Sequence, residues 1–334
     1  MAETSWTSNM YVERWRKEFA FEAPNFDFMD RFAGKDENSA IQIVDDLKAS
    51  KGRQVHVDLI MKLDGSGVTG DNTMAGNEED LVQYEQTVTL DQLRHGVLSK
   101  GKMENKKVLT DFRSTAMRQL KIWFNETLDS DLLSVLQASP TRYLGADNGG
   151  TPRFDSTAKS SLAAADKVTV GDIRLLRALA KKPYTSGNPK IRPIKYNGRE
   201  YYVLVLGVEG VYDLKQNSTY QQIVREAWWR GEKNPLFNDA LAVIDGVIIH
   251  EYDGLSAFDD GGGASVHGNQ GIFMGAQAAV LARGGAHTWH EETVDRGNKL
   301  AITGGLIYEI AKTKFNSADF GCISYYHATT DLSA

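Results

Sequence analysis

Residues 289–321 read WHEETVDRGNKLAITGGLIYEIAKTKFNSADFG. The stretch parses as strand, turn, apolar strand, polar turn, strand. Glu291, Glu292 and Asp295 lead into a Gly297-Asn298 turn. Leu300, Ile302, Leu306, Ile307 and Ile310 then supply a buried face, and Lys312 to Phe315 exits into an Asn316-Ser317 turn. The segment carries strand and turn signals and no catalytic constellation. Its information is architectural.

Composition frames the rest. The chain has 334 residues, 41% hydrophobic and 25% charged, as expected of a folded globular protein with room for two cores. A net charge of −6 argues against a dedicated duplex-DNA binder, which would carry a basic excess. Cys322 is the one cysteine, so neither an internal disulfide nor a multi-cysteine metal site is expected. The first residues, MAETSWTSNMYVERW, contain no basic-then-apolar signal. Apolar runs such as Tyr201–Val208 are too short to span a bilayer, so no membrane association and a cytoplasm-like environment are expected.

Residues 1–50 mix aromatics (Trp6, Tyr11, Trp15, Phe19, Phe21, Phe26, Phe28, Phe32) with charges, and read either as an arm lying on another surface or as a packed extension. A short helix is predicted over Ile41–Lys48 with Ser39 as its cap. Alternation at Val55, Val57, Leu59, Met61 and Leu63, and again at Val82, Tyr84, Val88 and Leu90, predicts a long hairpin. Its tip, Asp64–Asp80, holds four glycines and five acidic residues, and a structureless tip of that length points to function or disorder.

The period turns helical from Glu104 to about Ala138. Leu109, Phe112, Ala116, Leu120, Trp123, Phe124 and Leu128 form one stripe, with a break expected at Asp129-Ser130-Asp131. After a Gly-rich linker over Pro140–Pro152, a smaller α/β unit is expected. It comprises a helix over Asp172–Lys181, a hairpin of Ile191–Tyr196 and Glu200–Val208 around Asn197-Gly198, and a helix over Tyr220–Trp229. A strand over Val247–Tyr252, a glycine-rich loop over Asp259–Gly271 and a helix over Phe273–Arg283 complete it.

In order, these elements resemble tailed-bacteriophage major capsid proteins, whose fold is shared with the herpesvirus capsid floor. The carriers are the aromatic-acidic stretch, Gly-Asn turn, kinked apolar strand, Lys-x-x-Phe element and Asp-Phe-Gly of the opening segment. The hairpin with a glycine-rich acidic tip, the long helix directly after it, and the later Tyr-Tyr-Val, Asn-Pro-Leu-Phe and Gly-Ala-Gln-Ala succession add to them. Arg296 stands where the family usually has an aromatic. The resemblance runs from about Gly34 to Gly321 and rests on the order of motifs.

It implies an α+β capsid fold with an N-terminal arm (1–50), an extended hairpin loop (51–103), a peripheral domain (104–140 and 286–334) and an axial domain (141–285). The implied function is a major capsid protein that self-assembles as hexamers and pentamers into an icosahedral shell around double-stranded DNA. Scaffolding, portal and decoration proteins are the expected partners. The virion, after assembly in the host cytoplasm, is the expected location. The alternative is an encapsulin-type nanocompartment shell. No enzyme activity, cofactor or metal is expected.

Several motifs suggest chemistry and fail on physical grounds. Gly65-x-Gly67-x-x-Gly70 matches a dinucleotide fingerprint, but Asp71 and Asn72 follow where a helix N-terminus should receive phosphate. Ser66 and Val68 break a calcium-hand pattern, leaving weak cation binding by Asp64, Asp71, Glu78, Glu79 and Asp80 as a minor reading. His287-x-x-His290-Glu291-Glu292 has the wrong order for a zinc protease. Cys322 and His327, five apart on one predicted strand, lie ~16 Å apart on opposite faces and cannot share a proton. Lys181, Lys182, Lys190, Arg192, Lys195 and Arg199, interleaved with tyrosines, suit either single-strand stacking or pairing with an acidic neighbouring subunit. The second reading is favoured. The expected inter-subunit contacts are therefore Asp64, Gly65, Gly67, Gly70, Asp71, Glu78, Glu79 and Asp80 at the tip, and Lys190, Arg192, Lys195 and Arg199 on the basic hairpin.

Overall fold

A computed structural model describes residues 28–45, 52–60, 63, 65–107, 111–145, 153–182, 190–227, 241–255, 257–262, 265–285 and 288–332. Expectations that fall on the first six aromatics, Lys48, Asp64, Leu109, most of the 140–152 linker, the Asn-Pro-Leu-Phe motif at 234–237 and His287 lie outside the described residues. The chain divides into two compact units.

The first unit takes Leu93–Thr127 and His287–Leu306 among its residues. Its strands are β5 (Asp91–Leu98), β14 (Thr288–Val294) and the first half of β15 (Lys299–Lys312). β14 runs antiparallel to β15 from Thr288↔Gly305 to Val294↔Lys299, and β5 also pairs with β15. The loop between β14 and β15 spends three successive residues at positive φ, Asp295 (54°), Arg296 (51°) and Gly297 (81°), so the expected turn is present and wider than two residues. Helix α1 (Lys102–Lys107) precedes the long helix α2 (Phe112–Gln137). Ala116, Leu120 and Ile302 are the buried centre, backed by Val97, Phe112 and Leu300. Trp123 stacks on His95 with centroids 4.2 Å apart. A Cβ on Gly304 would sit 2.7 Å from the Phe124 ring, so glycine there lets helix and sheet approach.

Residues Asp27–Gln92, Leu128–Ala286 and Ile307–Ala334 form the second unit, so α2 and β15 contribute residues to both. Its larger sheet has eight strands: β6 (Tyr143–Gly145), β7 (Ile194–Tyr196), β8 (Arg199–Leu206), β9 (Ala242–Ile244), β10 (Val247–Glu251), β11 (Ala257–Gly261), β12 (Val266–Met274) and β18 (Cys322–Ala328). The spatial order is β6-β18-β12-β8-β10-β9, with β11 on β12 and β7 on β8. β12 and β18 are antiparallel from Gly268↔Ala328 to Met274↔Cys322, while β8 and β10 are parallel. Residues 286–334, assigned together from sequence, therefore part company, because β18 completes this sheet.

Helices α3 (Val170–Lys181), α4 (Val208–Gln216) and α5 (Ser218–Ala227) belong to the same unit. Ile173, Leu176 and Leu179 of α3 and Val211 and Leu214 of α4 share one apolar cluster with Tyr202, Leu204, Leu206, Val247, Ile249, Phe273 and Tyr325. Each such side chain contributes about 1.5–3 kcal/mol by leaving water. Thr169 and Asp172 cap α3 reciprocally, and Asp172 also accepts from the Tyr325 hydroxyl at 3.1 Å, which ties the helix to β18. Burial pushes the Asp172 carboxyl above its ordinary range, with the Thr169 and Tyr325 hydrogen bonds opposing.

A second set of strands comprises β1 (Ala33–Gly34), β2 (Ile41–Val44), β13 (Ala279–Arg283) and the end of β15, with β2 parallel and β15 antiparallel to β13. The hairpin of β3 (Gln54–Ile60) and β4 (Gln83–Thr89) rests its root here through Val55, Val88 and Ala282. The Gln86 amide bonds both the Lys312 carbonyl and the Lys314 N–H at 2.8 Å, beside the short pair β16 (Lys314–Phe315) and β17 (Ala318–Asp319).

Four predicted elements differ. Of the helix expected over Ile41–Lys48, residues 41–44 are instead strand β2, because β-branched Ile41, Ile43 and Val44 find a ladder on β13. The 259–271 loop is strands β11 and β12, its glycines serving close approach: a Cβ on Gly268 would lie 2.6 Å from the His327 carbonyl oxygen. The helix over Phe273–Arg283 is the end of β12, a turn with Gln277 at φ 56°, and β13. Alanine propensity loses there to pairing on both edges of β13. The break at 129–131 is absent. Asp129 points inward and accepts the backbone N–H groups of Phe28 and Met29 at 3.1 Å, holding the 3₁₀ turn Met29–Phe32, while Asp131 accepts the Tyr308 hydroxyl at 2.5 Å.

Candidate functional site

The hairpin tip is exposed and built on its own hydrogen bonds. β3 and β4 hold register from Gln54↔Thr89 to Ile60↔Gln83, then release the chain. Gly67, Gly70 and Gly76 adopt positive φ (65°, 67° and 88°), the left-handed region that favours glycine. The Glu79 carboxylate reaches across the loop to accept Gly65 N–H at 2.8 Å, and Glu78 accepts Gly76 N–H at 2.7 Å. Asn72 and Asn77 side chains donate to the Thr69 and Thr73 carbonyls. The described tip carries no strand or helix, as expected, and is tied together by these local hydrogen bonds. Asp71, Glu78, Glu79 and Asp80 face solvent, and so do Ile60, Leu63, Met74, Leu81 and Val82, each about half or more exposed. A row of solvated apolar side chains on a two-stranded projection is the pattern of a docking element.

The basic hairpin β7–β8 turns through Asn197 (φ 49°) and Gly198 (φ 75°), as its Asn-Gly signal predicts. Its charges divide in two. Arg192 is used within the chain, on Gln277 at 2.9 Å and Glu37 at 3.6 Å. Lys181 binds Glu200 at 2.7 Å and, with that hydrogen bond as the leading cause, holds its carboxyl below the usual range. Lys190, Lys195 and Arg199 are exposed and form no ion pair among the described residues. The Lys195 backbone is pinned by Asn38 at 2.7 Å in both directions.

The motifs that suggested chemistry are placed where they cannot perform it. No helix follows Gly70. Cys322 and His327 are both buried on β18; burial pushes the thiol up to about 12 and the imidazole down to about 4, the reverse of a nucleophile and base poised at neutral pH. Glu291 on β14 accepts from the Trp289 indole and the Arg113 guanidinium, both at 2.7 Å, a structural use. One polar cluster was missed: Glu209, Asp259, His267 and Asp331 converge from four segments. Its members run from Glu209 to Asp331, far apart in sequence, so no spacing signal exists.

A family model described as phage capsid protein matches residues 3–331. The chain belongs to that family. The major capsid protein of Pseudomonas phage KPP25 is 30% identical over 94% of both sequences. Among solved structures, the capsid of Ralstonia phage GP4 matches all of both chains at a TM-score of 0.82 and 27% identity. The cyanophage Pam1 capsid matches 98% of this chain and 99% of its own at 0.84 and 24%. The protein is therefore a major capsid protein of a tailed phage, a component of the virion shell with the α+β capsid fold. An encapsulin identity is not favoured.

Proposed function

We propose that copies of this chain form hexamers and pentamers that close into an icosahedral shell around double-stranded DNA. The hairpin β3–β4 is the extended loop and lies on a neighbouring copy. The observation that carries this is the hydrogen-bonded tip with Leu63, Met74 and Leu81 more than half exposed and Val82 nearly so. Such surface favours burial at about 25 cal/mol per Å², and identical subunits meeting head to tail supply it in every copy. In this reading α2 and the β14–β15 sheet are the peripheral body, the eight-stranded sheet with α3, α4 and α5 the axial body, and residues 1–50 an N-terminal extension that packs on its own chain through β1 and β2. The net charge of −6 suits a container whose DNA must enter and leave without specific binding. Assembly takes place in the host cytoplasm, with a scaffolding protein, a portal and decoration proteins as partners.

Removal of residues 65–77 tests the reading. The truncated chain is expected to keep wild-type circular dichroism and melting while negative-stain microscopy shows no closed particles. Normal shells from that variant would exclude the loop as the contact.

A further inference from the structure

The cluster around His267 lies within the second unit and plays no part in the assembly surfaces above. His267, the second residue of β12, has its Nδ1 2.5 Å from Asp259 Oδ1 on β11 and its Nε2 2.8 Å from Glu209 Oε2 in the first turn of α4. Thr329 donates its hydroxyl to the same Glu209 oxygen at 3.0 Å. Asp331, in the segment after β18, adds a carboxylate. One ligand atom from each of Glu209, His267 and Asp331 falls within 4.8 Å of the others. His267 and Glu209 are largely sheltered, with side chains 20% and 18% exposed.

We propose that Glu209, His267 and Asp331 bind one divalent transition-metal ion of the zinc class, with Asp259 positioning the imidazole from behind. Three physical points carry this. With Asp259 accepting a hydrogen bond from Nδ1–H, the ring would present Nε2 as its ligand nitrogen on the Glu209 side. Nε2 and the Glu209 oxygen are 2.8 Å apart, so they can share either a proton or a cation. A proton would satisfy that pair alone, whereas a metal also uses the third donor. Charge points the same way: three carboxylates surround one imidazole, and neighbouring lysines are engaged elsewhere, Lys159 on Asp260 and Lys167 on Asp213.

An imidazole with two carboxylates suits zinc, cobalt or manganese better than magnesium or calcium, which prefer all-oxygen cages. Metal–ligand bonds of about 2.1 Å set ligand atoms about 3–3.4 Å apart, so the Glu209 oxygen would draw back slightly from Nε2 while the exposed Asp331 side chain closes in. A fourth position stays open to water. The bound ion would add to the hydrogen bonds that already hold the segment after β18, from Thr329 to Glu209 and the His267 carbonyl and from Thr330 to Asp213.

The test uses untagged full-length protein stripped with a chelator. Titration with Co²⁺, read by its visible d–d absorption, is expected to saturate at one ion per chain. Zn²⁺ should displace the colour, Mg²⁺ should not, and either transition metal should raise the melting temperature. Asp331→Asn, at an exposed position, and His267→Gln should each weaken binding at least about tenfold, and Asp259→Asn by about ten- to a hundredfold. Metal-free melting curves show whether each variant folds. Absence of stoichiometric uptake, or equal uptake in D331N and H267Q, overturns the proposal. A melting temperature that follows pH but ignores metal also overturns it, and assigns the cluster to an imidazolium ion pair.

Discussion

His327 sits fully buried on β18, stacked on Tyr325 at 4.9 Å. Burial disfavours its charged form and holds it down to about 4, against 6.5 for an ordinary histidine, although the Tyr325 backbone and the Asp213 carboxylate pull upward. Below pH 6.5 the unfolded chain takes a proton that the folded chain refuses, so this stability is complete above 6.5 and lost as pH falls toward 4. At about 1.4 kcal/mol per unit, the loss across that window is about 3 kcal/mol. Urea unfolding at pH 7.5 and 4.5 should therefore show a smaller acid penalty in His327→Leu than in wild type. An identical penalty would remove His327 as the cause. Asp129 offers a second case. It holds two backbone N–H groups of the Met29–Phe32 turn, and Asp129→Ala should cost about 1–3 kcal/mol for leaving them unsatisfied, measurable as a lower melting temperature.

Helix α2 shows what one element demands. Leu120 is 2% exposed, whereas Trp123 is only half-buried on His95 and Phe124. Leu120→Ala should accordingly cost about 2–5 kcal/mol, and Trp123→Ala less, despite removing the larger side chain. Equal melting temperatures for wild type and L120A would refute the core assignment. The helical stripe was legible because period and burial coincide over many residues. Asn197-Gly198 was legible because its turn chemistry is local. Phe273–Arg283 was not: an alanine-rich run has helical propensity whichever way it folds, and only strands β2 and β15, distant in sequence, decide the matter. Gly268 and Gly271 read as loop for a related reason, since the carbonyls and side chains that crowd them belong to other strands. The exposed tip and basic turn were visible as composition. His267 and its carboxylates were not, being assembled by the fold.

Across the assembled shell, weak terms repeat. Lys190, Lys195 and Arg199 are exposed and unpaired among the described residues, while Asp71, Glu78, Glu79 and Asp80 are exposed on the tip. Asp259 and Asp260, also acidic in sequence, are already occupied by His267 and Lys159. A single exposed pair contributes about 0–1 kcal/mol, yet every copy would make it. Reversing Lys195 and Arg199 to Glu should shift the salt optimum of assembly, followed by light scattering, without lowering the melting temperature. The same salt profile in mutant and wild type would leave apolar overlap as the cohesive force.

The internal hydrogen bonds of the tip have one more consequence. A loop that must be ordered on docking loses about 1–2 kcal/mol of backbone entropy per residue. Here Glu79, Glu78, Asn72 and Asn77 have already placed much of that backbone before any neighbour arrives. The subunit thus carries a preformed key. On the proposed contact, association would be limited by finding the partner's surface rather than by folding onto it, and a weak, fast-releasing contact would let a misplaced copy leave before the next one locks it in.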